Sequence, residues 1–225
     1  DGTTLTPGPW SDNAAGTVYV TKSTNQGGSW SAPVAAATLN NVDFTSLGFR
    51  SRSFPSIDID PVSGRVFVVY ATYAGTGTDA DVMIVSSANG TSWSSPIRVN
   101  QDSGTSDQWM PWIAVANGRV NVVYYSRADD GNINAHVAFA AVSASPAFTE
   151  LRVSSASTPT STGFLGDYNG AYVGSDDVLH PAWADARTGL SGTDAFTARV
   201  NFSPPQSVTA VPATQSPQVG TTASV

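Results

Sequence analysis

Short apolar stretches of about strand length, broken by Gly, Asp and Asn, recur along the whole chain. Three segments follow one grammar: "FPSIDIDPVSGRVFVVYATY" (54–73), "MPWIAVANGRVNVVYYSR" (110–127) and "YNGAYVGSDDVLHPAWADAR" (168–187). Each offers a short apolar run, a turn rich in Gly, Asp or Asn, and a second run ending in aromatic residues, which predicts β-hairpins. After each hairpin comes a third strand-like run, "DVMIVSS", "INAHVAFAAVS" and "DAFTARV". In the first two copies a fourth follows, "PIRVN" and "ELRVSS". Pro55, Pro111 and Tyr168 recur at about 56 residues, an interval suited to a four-stranded propeller blade. The reading is therefore all-β, with β-propeller blades of four antiparallel strands.

Composition supports that reading. The chain has 225 residues, no cysteine and a formal net charge of −7, with Glu150 the only glutamate and Lys22 the only lysine. Scarcity of Glu and Lys beside abundant Thr, Ser, Val, Gly and Asp favours strands and tight turns over helix. An acidic balance without a basic run argues against nucleic acid and against an anionic membrane surface as partners. No apolar run approaches the roughly 20 residues of a spanning helix. The chain opens at Asp1 without Met or an apolar leader, which reads as a processed form or a piece of a longer protein that is secreted or extracellular.

Two octets share a spacing, "STNQGGSW" (23–30) and "SSANGTSW" (86–93), each between the expected third and fourth strands of a blade. They resemble the Asp-box, or bacterial neuraminidase repeat, Ser-x-Asp-x-Gly-x-Thr-Trp. The resemblance implies a turn stapled by Ser and Asp side chains, with Trp30 and Trp93 packed between sheets. Asn25 stands for Asp in the first copy and Ala88 in the second, so the second turn is expected to be held less firmly. Residues 49–93 are also similar to the sialidase segment that carries Phe-Arg-Ile-Pro, an Asp-bearing loop and an Asp-box. "DQWMPWI" (107–113) and "FLGDYNG" (164–170) resemble phrases of secreted bacterial sialidase-like proteins.

By that resemblance Asp79 (alternatively Asp81) acts as acid/base, and Arg52 or Arg50 belongs to an Arg clamp on a substrate carboxylate. Trp109, Trp112, Asp167 and Tyr168 join them as substrate-binding residues near the innermost strands, with Asp107 and Gln108 close by. Arg127 and Arg187 end second strands, where they serve either as carboxylate ligands or in salt bridges. A retaining sialidase also needs a Tyr activated by Glu, and Glu150 falls on a predicted outermost strand. No metal or cofactor is expected, since His136 and His180 stand singly and "DADV" and "RADDGNIN" lack the ligand pattern of a calcium loop.

The expected organisation is a propeller portion over 1–203, about three and a half blades of a larger five- to seven-bladed ring, and a Pro/Thr/Ser-rich tail or linker over 204–225. Because a propeller hides its sheet edges by closing, another chain or segment is expected to complete it. Two functions remain open. One is glycan processing, in the form of a glycoside hydrolase removing terminal sialic acid. The other is a non-catalytic extracellular module that binds a glycan, a glycoprotein or another protein.

Overall fold

The computed structural model describes residues 3–5, 15–40, 42, 51–73, 79–160, 165–187, 193–202 and 209–215. It is all-β and antiparallel. The first sheet holds β1 (Thr3–Leu5), β2 (Ala15–Val20) and β3 (Val34–Asn40) in that order. The second holds β4 (Ser56–Ile59), β5 (Val66–Tyr73), β6 (Ala80–Ser87) and β7 (Ile97–Arg98). The third holds β8 (Gln108–Ala116), β9 (Arg119–Ser126), β10 (Asn134–Ala141) and β11 (Thr149–Arg152). The fourth holds β12 (Gly170–Val173), β13 (Val178–Asp185), β14 (Asp194–Asn201) and β15 (Thr209–Gln215). Each sheet is a meander of sequential neighbours, the order of a propeller blade, and together they form a partial propeller. The last sheet thus has a fourth strand inside the stretch read as a tail.

The hairpin grammar has a direct physical cause. Ala116 pairs with Arg119, leaving Asn117 and Gly118 as a two-residue loop with φ of 53° and 72°. Both values lie in the left-handed region that Asn and Gly tolerate, and such a turn matches the twist of the flanking strands.

Three apolar clusters fill the spaces between successive sheets, so the second and third sheets are covered on both faces. Val18, Val20 and Leu39 meet Val68, Tyr70 and Val85 between the first and second. Phe67, Val69 and Ile84 meet Val120, Val122 and Tyr124 between the second and third. Val123, Tyr125 and Val137 meet Leu179, Trp183 and Phe196 between the third and fourth. Alternate residues of a strand point to opposite faces, so β5 and β9 each supply the clusters on either side, through "VFVVYA" in β5 and "VNVVYY" in β9, where Asn121 is the one polar position. Burial also lifts the Tyr70 hydroxyl to about 12.

Both octets form side-chain-stapled turns, but not in the same register. In the first, Ser23 Oγ accepts the Gly27 amide at 2.8 Å and Asn25 Oδ1 accepts the Ser29 amide at 2.9 Å. In the second, Ser87 Oγ accepts the Gly90 amide at 2.8 Å, and Asn89 Oδ1 accepts the Thr91 and Ser92 amides, both at 2.9 Å. Ser87 and Asn89 thus do the work expected of Ser86 and position 88, and the second turn is as fully bonded as the first. The two tryptophans also part company. Trp93 packs against the first inter-sheet cluster, whereas Trp30 is 47% exposed, contrary to the core role expected of it.

Tyr125 ties the third sheet to the fourth: its hydroxyl donates to Ala184 O at 2.7 Å and accepts the Ala184 amide at 3.0 Å. Tyr125→Phe strands both backbone groups without changing side-chain volume much. The expected loss is about 1–2 kcal/mol in denaturant unfolding with unchanged m-value, and an unaltered midpoint would show that the bridge contributes nothing.

Candidate functional site

The sheets meet along β8, which lies against β4 on one side and β12 on the other. A strand at an inner edge has amides and carbonyls that no further strand can pair. Here side chains of neighbouring sheets satisfy them. The Ile113 amide donates to Ser56 Oγ at 3.3 Å and the Val115 amide to Asp58 Oδ2 at 2.7 Å. Asn169 Nδ2 donates to Met110 O at 2.8 Å from the other side. Because Ser56 and Asp58 step along with Ile113 and Val115, β4 and β8 run in the same direction. Their N-terminal ends open on one face of the molecule.

Most of the sequence-nominated residues gather on that face. Arg52 precedes β4 and donates to Ser51 O at 3.1 Å, Asp79 immediately precedes β6, and Asp167 and Tyr168 precede β12. Tyr168 is 77% exposed. Trp109 and Trp112 both lie on β8, where the register shifts between them and Met110 takes a φ of 51°. Beyond that bulge Trp112 is 39% exposed, but Trp109 is 0% exposed and packs on Tyr125 with ring centroids 5.6 Å apart. A tryptophan enclosed on every side has no ring face to offer, so Trp109 is core and leaves the substrate-binding set. Arg50 lies outside the described residues.

The two strand-ending arginines are committed to carboxylates of this chain. Arg127 Nη1 lies 3.1 Å from Asp107 Oδ2, and Asp107 Oδ1 accepts the Ala80 amide at 3.2 Å. Arg187 donates through Nε to Asp185 Oδ2 at 2.8 Å, pairs with it again through Nη2, and sits 4.5 Å over the Phe196 ring. Asp185 also takes bonds from Thr158 Oγ1 and from Trp183 Nε1 at 3.1 Å. Burial works to raise the Asp185 pKa, yet these donors prevail and hold it below the ordinary range. Asp107 goes the other way: burial and the nearby Asp79 charge lift it despite Arg127 and the Ala80 amide. Buried carboxylates with opposing shifts are a recurrent feature of acid/base sites.

Sequence reasoning missed Tyr172, 69% exposed on β12, which neighbours the strand bearing Trp112. Its signal was the alternation of "GAYV" at an inner edge, where one side has no sheet to pack against. It also missed a buried charge relay. His136 Nδ1 lies 2.6 Å from Glu150 Oε1 and His136 Nε2 lies 2.9 Å from Asp129 Oδ2, while Glu150 Oε2 accepts the Gln101 amide at 2.6 Å. An imidazole bonded to carboxylates through both nitrogens carries both protons. Glu150 stands on β11, the outer edge of its sheet, as the sequence had it. Among the described residues no group of three or more His, Cys, Asp or Glu could hold a metal ion.

No family model matches the chain, and no curated protein matches it. Solved structures similar to it include the α-L-arabinofuranosidase of Fusarium graminearum from glycoside hydrolase family 93, in complex with arabinobiose. That pair shares 11% identity over 93% of this chain and 60% of the other, with a TM-score of 0.51. The Penicillium chrysogenum α-L-arabinanase complexed with arabinobiose shares 14% identity over 93% of this chain and 60% of its own, with a TM-score of 0.51. The chain thus spans 60% of the length of these structures, and the likeness is one of fold. The sialidase and Asp-box assignment is corrected on this finding, since the likeness is to arabinan-type enzymes. Two local observations explain why the sequence misled. The octets are polar turn staples whose second copy does not keep the Asp-box register. Arg127 and Arg187, which would clamp a sugar carboxylate, are occupied by Asp107 and Asp185.

The relay at His136 sets a pH window. Burial alone would lower the His136 pKa, but the bonds to Glu150 and Asp129 outweigh it and raise the pKa above 6.5. Its stabilisation is therefore complete below pH 6.5 and lost as pH rises through the raised folded value. Burial acts on Glu150 in the opposite sense and would raise its pKa, yet His136 and the Gln101 amide bring it below 4.5. That contribution is present above pH 4.5 and disappears as pH falls through the lowered folded value. The Tm difference between the parent chain and His136→Gln is expected to peak between these limits and to shrink on both sides. A gap independent of pH from 4 to about 9 would refute the assignment.

Proposed function

We propose that this chain is part of a glycan-processing propeller that holds a neutral, arabinan-type glycan against the N-terminal ends of β4, β8 and β12. The observation that carries the reading is the set of exposed aromatic rings, Trp112, Tyr168 and Tyr172, on and just before adjoining inner strands. Such rings stack on the apolar faces of sugars, while a few fixed polar groups provide orientation. The likeness in fold to structures solved with arabinobiose supports the sugar class. Intramolecular pairing of Arg127 and Arg187 supports a ligand without a carboxylate.

For processing, the chain has Asp79 and Asp107 on that face. Asp107 is partly sequestered from water with a raised pKa, which suits a proton donor, and Asp79 lies near enough to contribute to that shift. Glycoside hydrolysis asks for two carboxyl groups flanking the scissile bond, one to protonate the leaving oxygen and one to act as base or nucleophile. Asp107 is assigned the first role and Asp79 the second. Further blades contributed by residues outside this chain would complete the ring around the site.

Calorimetric titration with arabinobiose and with arabinan oligosaccharides tests the binding claim. Trp112→Ala is expected to weaken binding about tenfold with no change in the unfolding midpoint, given the size of single aromatic contributions. Equal affinity would remove Trp112 from the site. Asp79→Asn should abolish reducing-sugar release and leave affinity within about twofold, whereas turnover at the parent rate would show that Asp79 takes no part.

A further inference from the structure

A second recess lies at the opposite ends of the blades, beneath the C-terminal end of β4. It is a cleft of about 300 Å³ between the first and second sheets, walled by Val20, Ile57, Ile59 and Val66, with Lys22 and Asn89 among its lining. Small-molecule sites run from roughly 300 to 1,000 Å³, mostly apolar with a few placed polar groups. This cleft falls at the small end of that range and has that composition.

Lys22 and Asn89 supply the side-chain N–H donors of its lining. Lys22 is the only lysine in a chain of net charge −7. Its amide donates to Ser31 Oγ at 3.1 Å, its carbonyl accepts the Ser31 amide at 2.9 Å, and its Cδ passes 3.9 Å from where a Cβ on Gly90 would stand. The backbone is thus held at the base of the first stapled turn and the stem passes the second at Gly90. Arg98, Arg119, Arg127, Arg152, Arg187 and Arg199 are all ion-paired, but the Lys22 ammonium has no carboxylate partner among the described residues. Asn89, which lines the cleft, uses Oδ1 to accept the Thr91 and Ser92 amides, so Nδ2 is its donor group. Asp58 also lines the cleft, yet its oxygens already accept the Ile59 amide at 2.8 Å and the Val115 amide at 2.7 Å.

We propose that this cleft binds a small organic carboxylate with an apolar body, its anion on Lys22 Nζ and Asn89 Nδ2 and its body against Val20, Ile57 and Val66. The site is separate from the glycan face, and neither proposal depends on the other. Two stapled turns and the β4–β5 turn frame it.

Phenylacetate and its uncharged isostere phenylacetamide are the probes, titrated into the isotopically labelled chain by NMR. Saturable shifts are expected at Val20, Ile57 and Gly90, with phenylacetate bound about fivefold more tightly than the amide, as one exposed ion pair allows. Lys22→Gln should erase that preference and leave amide binding unchanged. Ala88→Trp, which fills the cleft from its exposed rim, should abolish both. Three outcomes would each overturn the proposal: no saturable shift at the cleft, equal affinity of acid and amide in the parent chain, or shifts confined to the Trp112 and Tyr172 face.

Discussion

Everything at the centre of this molecule depends on the inner edge of β8 being satisfied by side chains rather than by another strand. An unpaired edge is costly when buried, and three polar groups remove that cost at chosen points: Ser56 and Asp58 from β4, and Asn169 just before β12. Because each bond fixes one residue of β8 against one residue of a neighbour, the edge contacts also set the register between sheets. That register places Asp79, Asp107, Asp167 and Tyr168 at one face and the stapled turns at the other. The apolar clusters supply the bulk of the adhesion, but they are non-directional and would tolerate sliding.

The strands themselves were readable because double-sided burial leaves a plain mark. β5 holds the continuous apolar run "VFVVYA" and β9 holds "VNVVYY", broken only by Asn121, and "ANGR" announces a two-residue hairpin with both φ values positive. What escaped were features that depend on which sheet lies next door. Ser56, Asp58 and Asn169 look like ordinary turn-flanking polar residues until β8 is put beside them. Trp109 and Trp112 look equivalent in "DQWMPWI", and the bulge even turns both toward the same face of β9, where only the neighbouring residues decide that one is enclosed and the other 39% exposed. The same holds for Arg127, whose partner Asp107 lies across the sheet's open end and not in any local pattern.

The family reading shows how a true local observation can lead to a wrong identity. The second octet lies between the third and fourth strands of its sheet and the first between the second and third of a three-stranded one, and both form stapled turns, yet a turn staple is a solution to satisfying amides and is indifferent to the chemistry performed elsewhere on the blade. A sialic acid site needs free guanidinium forks, and the structure spends Arg127 and Arg187 on its own carboxylates. What remains at that face is aromatic surface beside Asp79, Asp107 and Asp167, with Arg52 just before β4. The polar network around His136 and Glu150 stands apart, joining the outer strands of the third sheet to the loop after β7.

A crystal structure of the chain soaked with arabinobiose tests the central claim most directly. The account predicts sugar density across the N-terminal ends of β4, β8 and β12, with one ring face on Trp112 and a glycosidic oxygen within hydrogen-bond reach of Asp107. Density at any other face, with that surface left in contact with solvent alone, would contradict it.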